Sequence, residues 1–502
     1  MTSPKNTTRV IELPPEIITI LAQVNDISVR TTGIPAYITG GFVRDHLLGI
    51  GDYHDIDVSV PDADAVFKLA NLKFVPSGES KTEFGVQSVF VPLGSGVTGR
   101  LDIVQLRSEA YRADSRKPTI KPTTDIIFDL SRRDFTRNAI AWKLVSFNNA
   151  SVTVEEIDPF NGIGDLLYYK VIKAVGDPNE RFFEDPLRIM RAVRFATKLD
   201  NVVIDINTQK SITSNVNRLQ DGGPVSRERI VDELTKILVL PNAGKGVKML
   251  FDLGILQFLI PEFAEAGNIR HDNRGGHHGE TIIEHTAEAV SRIAPEPTLR
   301  IAALLHDVGK TSVYSSVDGK KHFFVKDPET GRTVGHESVS AEVAARRLKE
   351  LKFPSSIVRE VTTLVKFHMR LHMVSKDSDE SKRKSMAKVY ISLRRDANLI
   401  DKLIKLGEAD SGQSYAYFSE LLNEYSHVKL VNGLDILAIE PGLDTTNPKV
   451  LERALRETQV QQLSRGWTFP KLVGVMKNNI NNAKKPSDDA RKSTVIEAKV
   501  EQ

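Results

Sequence analysis

The sequence predicts an α/β domain followed by a mainly α-helical remainder. Three observations carry this. Between Tyr37 and about Ile157, short β-like runs alternate with turn signals. From Asp165 to about Glu265 the apolar positions recur at three and four, as in Leu187, Met190 and Val193 and again in Leu234, Ile237 and Leu238. Beyond the loop-like HDNRGGHHG that begins at His271, a second all-helical region carries nine of the twelve histidines (271, 277, 278, 285, 306, 322, 336, 368 and 372).

Taken in order, residues 1–35 form a helical lead, in which PPEIITILAQVNDIS (14–28) has helical apolar spacing. Residues 36–165 form the α/β domain, 166–268 a helical segment, 275–415 the histidine-rich domain and 416–480 a further helical stretch. Residues 481–502 are polar, lack aromatics and are expected to be disordered. No internal repeat is present.

At 502 residues and 40% hydrophobic content the chain has enough material for several cores. Lys+Arg number 68 against 65 Asp+Glu, so no global positive field advertises nucleic acid and an RNA site must be argued from residues. With no cysteine there is no disulfide framework, zinc ribbon or thiolate chemistry, and metals must be held by His and carboxylates. A reducing, cytoplasmic setting fits. The start, MTSPKNTTRV, lacks a signal-peptide pattern, and no apolar run approaches ~18 residues, so a soluble protein without membrane contact is expected.

In YITGGFVRDHLLG a short strand precedes Gly40-Gly41 and an amphipathic helix follows, leaving backbone N–H groups open to a phosphate, with Arg44 and Asp45 in the first turn. A glycine pair equally permits a tight turn. In HDIDVSVP, Asp55 and Asp57 lie two apart on a strand and share a face, and a divalent cation, Mg²⁺ above all, resolves their repulsion. For Asp-x-Asp alone, an exposed edge strand with solvated aspartates is the simpler reading. RLDIVQLR adds Asp102, which can complete a carboxylate set for two metals, and Arg107. SRRDFTRNAIAW packs Arg132, Arg133, Asp134, Arg137 and Asn138 together, a clamp for triphosphate and ribose or a solvated charge run.

Four elements come in order: GGFVRD (40–45), DID (55–57), RSEAY (107–111) with RKP (116–118), and RRDFTRNA from Arg132. This order resembles the class II tRNA nucleotidyltransferase and poly(A) polymerase family. DPFNGIGDL from Asp158 resembles the family's link between head and neck, EDPLR (184–188) its nucleotide-selecting motif, and SRERI from Ser226 its neck helix start. The resemblance covers residues 36 to about 260. It implies a nucleotidyltransferase head, a helical neck, body and tail, and Mg²⁺-dependent addition of nucleotides to an RNA 3′ end. The substrates it implies are tRNA with CTP and ATP; a poly(A) polymerase shares every head motif. An RNA-binding head without catalysis, serving the second domain, is the reading from another class, and the presence of both Asp55 and Asp57 counts against it.

On a helix Asp185 and Glu184 each share a face with Arg188, which alone reads as a surface salt bridge of ~0.5 kcal/mol. The functional reading uses hydrogen-bond polarity: cytosine and adenine both present an amino donor beside a ring-nitrogen acceptor, matching a carboxylate beside a guanidinium. Arg191 and Arg194 continue the basic stripe toward triphosphate or RNA. Ser226 stands where an N-cap would.

In the histidine-rich domain His306-Asp307 end a helical run in LRIAALLHDVGK, His285 lies in ETIIEHT, His336 in GHES, His368 in LVKFHMRLH and Asp410 in LIKLGEAD. Imidazoles and carboxylates from several helices suit a divalent-metal site, and the absence of thiols points to Mn²⁺, Ni²⁺, Fe²⁺ or Mg²⁺. The order resembles the HD phosphohydrolase superfamily from about 278 to 412, which implies phosphoester hydrolysis with Lys310 meeting a phosphate. VKDPETGRTV reads as an insertion that lengthens the loop before His336. VNGLDILAIEPG and LRETQVQQL resemble the body-and-tail segment, which implies a tail on the tRNA elbow. No protein partner is evident.

Overall fold

The computed structural model describes residues 7–50, 55–70, 72, 74–76, 86–93, 98–112, 115–271, 280–317, 320–329, 331–439, 448–467 and 469–484. The chain divides into two compact units, 1–259 and 260–502.

The first unit is built on a mixed sheet of eight strands in the order β1-β10-β9-β2-β3-β6-β5-β4. These are β1 (Thr8–Glu12), β2 (Tyr37–Thr39), β3 (Asp55–Val60), β4 (Phe74–Pro76), β5 (Val86–Pro92), β6 (Thr98–Gln105), β9 (Ala141–Phe147) and β10 (Ser151–Ile157). A separate hairpin, β7 (Arg107–Arg112) and β8 (Ser115–Pro122), follows β6. The β3–β6 pair is parallel, while β2 pairs antiparallel with both β3 and β9. Alternation decides what each face carries. Ile56, Val58 and Val60 of β3 with Leu101 and Ile103 of β6 enter one large core, filled from below by Ile17, Leu21, Val24 and Ile27 of the helix Pro15–Thr32. The polar residues of the same strands therefore face the other way.

The N-terminal lead is not purely helical: β1 pairs antiparallel with β10 at the sheet edge before the helix begins. Beyond the sheet the helices Pro178–Glu184, Leu187–Lys198, Ile206–Asn215, Arg227–Leu238 and Ala243–Asp252 form the expected helical segment. That segment also holds a two-stranded parallel pair, β11 (Val171–Ile172) and β12 (Val203–Ile204), too short to leave a period in the sequence. Ser226 occupies the N-cap position of the helix Arg227–Leu238, but its side chain makes no capping hydrogen bond.

The second unit is helical with one small sheet, which corrects the all-helical expectation. β13 (Tyr314–Val317), β14 (Lys320–Lys326) and β15 (Thr333–Gly335) pair antiparallel, so VKDPETGRTV is the β14–β15 connection with its flanking residues. A capping box between Thr281 and Glu284 starts the helix Ile282–Arg292 and sets His285 in its buried face. The helix Phe469–Lys484 runs past residue 480, into the segment expected to be disordered. The remainder of that tail and His277 and His278 lie outside the described residues.

Candidate active site and metal centre

At the end of β2 the chain turns through Gly40 with φ 77° and ψ −141°, a region open essentially to glycine alone. A Cβ at Gly40 would collide with Asp57 Oδ2. The turn thus lies directly against a carboxylate. Register sets Asp57 beside Thr39 on one side and Asp102 on the other. Asp55, Asp57 and Ser59 share the face turned away from the large core, as the alternation requires.

A cavity of about 420 Å³ opens on that face. The turn and β3 contribute Gly40, Gly41, Arg44 and Asp57. Arg132, Arg133, Asp134 and Asn138 come from the segment after the helix Ile126–Ser131, and Arg188, Arg191 and Arg229 from the helices beyond. Asp185 comes from the extended break between the helices Pro178–Glu184 and Leu187–Lys198, which corrects the expectation that Glu184, Asp185 and Arg188 share one helix. Most of the expected nucleotide-binding residues therefore meet in one basic cavity.

Hydrogen bonds hold these side chains before any ligand arrives. Arg44 donates to Asp45 Oδ1 and Oδ2, each at 2.8 Å, and to Asn138 Oδ1 at 2.9 Å. Asp134 is buried and accepts from the Phe135 N–H, Asn138 Nδ2 and Arg191 Nε, each at 2.9 Å. Burial would raise its pKa, but Arg191 and Asn138 outweigh that and lower it. Asp129, which the sequence did not single out, ties Arg132 at 2.6 Å to Arg133 at 3.1 Å, and those two guanidiniums likewise overcome its burial.

Not every expected residue reaches the cavity. Asp55 begins β3 and is exposed. Asp102 is buried and accepts from Ser88 Oγ at 2.6 Å and from Arg100 Nε at 2.8 Å and Nη2 at 2.6 Å. Arg107 on β7 pairs with Glu109 at 3.0 Å, and Arg194 pairs with buried Glu233 at 2.6 Å while packing over the Phe195 ring. Arg137 is buried, its Nε, Nη1 and Nη2 have no hydrogen-bond partner among the described residues, and it does not line the cavity. Arg188 bonds Glu184 Oε2 at 2.8 Å rather than Asp185, and donates to the carbonyls of Arg181 and Arg132 at 3.1 and 2.8 Å.

The histidine-rich unit brings its expected residues together. His285 Nε2 lies 3.0 Å from Asp410 Oδ1 and 3.3 Å from His306 Nε2, and His306 lies 3.3 Å from Asp307 Oδ2. On the other side of Asp307, His336 Nε2 lies 3.3 Å and His368 Nε2 3.8 Å from Oδ1. Two donor groups result, His285–His306–Asp307–Asp410 and Asp307–His336–His368, with Asp307 common to both. The β14–β15 connection does not displace His336, which opens the helix His336–Glu350. A Cβ at Gly309 would meet the Ser340 nitrogen at 2.5 Å, so glycine lets the His306–Asp307 turn close onto this helix.

Electrostatics separates these imidazoles. Burial opposes charge on His306, yet Asp307 and Asp410 outweigh it and raise its pKa to about 10. Burial, helped by His306 and His336, lowers His368 to about 3. Asp307 Oδ1, His336 Nε2 and His368 Nε2 are all buried without a hydrogen-bond partner among the described residues. Such orphaned lone pairs converging on one point fit a cation. Lys310 Nζ sits on Asp307 Oδ2 at 2.6 Å and on His271 Nε2 at 2.5 Å. His271 was missed as a site residue: it lies 36 positions before Asp307 in a loop, and no local pattern links the two. His322 meets the Phe324 ring edge-on instead.

Comparison with known proteins agrees with this geometry. Residues 36–172 match the family described as the poly A polymerase head domain, 201–266 the probable RNA and SrmB-binding site of polymerase A, and 282–406 the HD domain. An A-adding tRNA nucleotidyltransferase of Deinococcus radiodurans is 30% identical over 411 residues, covering 78% of this chain and 80% of that protein. The chain belongs to the tRNA nucleotidyltransferase and poly(A) polymerase family. Another member of that family, the CCA-adding enzyme of Limosilactobacillus reuteri, is 37% identical over 231 residues, which is 46% of this chain and about half, 52%, of the relative. The nucleotidyltransferase fold is shared with the Bacillus stearothermophilus CCA-adding enzyme in complex with CTP, at a TM-score of 0.59 and 21% identity over 94% of this chain and 99% of that one. No helix among the described residues is long and apolar enough to cross a membrane.

Proposed function

We propose that this chain adds CCA to tRNA 3′ ends from CTP and ATP without a nucleic-acid template, as a cytoplasmic enzyme. The observation that carries the reading is the single cavity lined together by Asp57, the Gly40–Gly41 turn, Arg132, Arg133, Arg191, Asp185 and Arg188. Arginines clamp the triphosphate, and the Asp185–Arg188 pair selects a base with an amino donor beside a ring acceptor. The primer 3′-oxygen bonds the α-phosphorus as the bond to the β-phosphate oxygen breaks and pyrophosphate leaves. Asp57, which lines the cavity, and Asp55, outside the lining but two residues away on the same face of β3, are the carboxylates that would hold Mg²⁺, which when bound neutralises the phosphates at this centre. Asp102 sits beside Asp57 on β6 and is held by Arg100 of its own strand and Ser88 of β5, which braces the β5–β6 pair.

The test is incubation of tRNA transcripts lacking CCA, or ending in CC, with each NTP singly and all together. CTP then ATP incorporation that stops supports the reading. Addition of A to the CC-ended transcript alone would narrow it to the activity named for the Deinococcus relative, and a lengthening adenylate tract would make the chain a poly(A) polymerase.

The HD unit supports a second activity, metal-dependent hydrolysis of phosphoesters. His285, His306, Asp307 and Asp410 would hold one divalent ion and Asp307, His336 and His368 a second, with Mn²⁺, Ni²⁺, Fe²⁺ or Mg²⁺ suited to imidazole and carboxylate donors. A bound ion would supply an activated water as nucleophile. Lys310 is the residue positioned to exchange Asp307 for a substrate phosphate. Release of phosphate from phosphomonoesters, or opening of cyclic phosphodiesters, tests it.

A further inference from the structure

Arg229 stands on the helix Arg227–Leu238 and lines the cavity that holds Asp185 and Arg188. Its Nη2 lies 3.9 Å from Asp185 Oδ2, an ion-pair distance too long for a direct hydrogen bond. Asp185 Oδ1 accepts from the Leu187 N–H at 3.2 Å. Arg229 is held near Asp185 without being locked to it. Its side chain is 43% exposed, whereas Arg188 is buried with three of its five N–H donors committed to Glu184 and two carbonyls. One turn along the same helix, Glu233 binds Arg194, which anchors this helix to the one that carries Arg188.

Asp185 with Arg188 cannot separate CTP from ATP, because cytosine and adenine share the acceptor–donor pair those two residues match. The bases differ one position further along. Beside its amino group adenine presents the N7 acceptor, where cytosine has only C5–H. A second donor next to the carboxylate that accepts from the amino group would therefore meet a partner in adenine alone. Arg229 comes to Asp185 from a different helix than Arg188 and supplies that donor. We infer that Arg229 is a specificity-determining residue that reads N7 of ATP, so that Arg188, Asp185 and Arg229 form a donor–acceptor–donor set for the N1, N6 and N7 edge of adenine.

This inference rests on the proposed function, and the test keeps the two apart. The probe is 7-deaza-ATP, which lacks the N7 acceptor, offered to the full-length protein with a tRNA ending in CC. The wild type should use it with a kcat/KM about tenfold to hundredfold below that for ATP. In Arg229→Met the ATP to CTP ratio should fall by about the same factor, and ATP and 7-deaza-ATP should become equivalent. A wild type that uses both analogues alike overturns the inference whether or not the variant folds. So does a variant in which CTP and ATP addition fall in parallel, or a wild type that adds CTP only. A wild type that adds no nucleotide to tRNA sinks the proposed function itself.

Discussion

Gly40 closes against Asp57, with its backbone in a glycine-only conformation and no room for a β-carbon before the carboxylate. Because the colliding atom is the tip of the Asp57 side chain, a methyl group at Gly40 displaces the carboxylate and leaves the sheet in place. Gly40→Ala should cost about 1 to 3 kcal/mol of stability from backbone strain. Nucleotide addition should fall by far more than that, about hundredfold or beyond, with tRNA affinity within a few-fold. Single-turnover addition beside a filter-binding titration checks the split; equal losses in both would mean that the turn serves folding only.

The Asp185–Arg188 pair makes a prediction about choice, not only rate. Losing a base contact costs ~1 to 3 kcal/mol, roughly tenfold to hundredfold in discrimination. Asp185→Ala should raise UTP or GTP use relative to CTP. Arg188→Ala should do the same with a larger fall in rate, since it also frees Glu184 and the Arg132 and Arg181 carbonyls. Competition between nucleotides, read as ratios of kcat/KM, is the measurement. Unchanged ratios in both variants would return the pair to a structural role.

Two donor groups that share Asp307 predict a stoichiometry. Protein reconstituted with Mn²⁺ should carry two more ions per chain than Asp307→Ala by elemental analysis, any ion at Asp55 and Asp57 being common to both. His336→Ala or His368→Ala should lose one, and Asp307→Ala both. Addition of CTP and ATP should persist in all three, since these ligands belong to a different compact unit from the nucleotide cavity. Retention of both ions in His368→Ala would remove the second position.

Much of the head was legible because strand alternation and motif order are local. Asp55 and Asp57 two apart on β3 already fix a shared face. The pairing of Asp102 with Arg100 was not anticipated, although the two lie two apart on β6 and so share a face. What the sequence hid depends on tertiary approach. Arg229 beside Asp185 and His271 beside Lys310 join residues with no common period, whereas Asp129 meets Arg132 and Arg133 at i+3 and i+4, a local spacing that went unread. The β13–β15 sheet escaped notice because β13 (YSSV) and β15 (TVG) are short and β14 (KKHFFVK) runs its apolar residues together, so none gives an alternating apolar signal.

Arg137 is a buried cation without hydrogen-bond partners among the described residues. Burial and the neighbouring Arg44 lower its pKa to about 10, despite Asp45 and Asp165 nearby. Replacing such a group by an apolar one of similar length removes an uncompensated desolvation cost. Arg137→Met should therefore be neutral to stabilising, by up to about 4 kcal/mol. Thermal melting reads this out, and a clear fall in Tm would show that Arg137 is balanced by interactions within the fold.

Asp134 gives the pH dependence of the same region. It is buried, and Arg191 and Asn138 overcome that burial to lower its pKa below the unfolded value of about 3.9. The unfolded chain then takes up the proton more readily than the folded one. The stabilisation is thus complete above the unfolded pKa and is lost as pH falls through the folded one. Asp134→Asn keeps the shape but removes the charge facing Arg191, and should cost about 1.5 to 3 kcal/mol at pH 7, the range for hydrogen bonds to a charged group. The gap to wild type should close as pH falls below about 4. Urea midpoints of both proteins between pH 7 and pH 3 decide it: a gap that stays constant across that range would place the loss in packing and not in the Asp134–Arg191 charge pair.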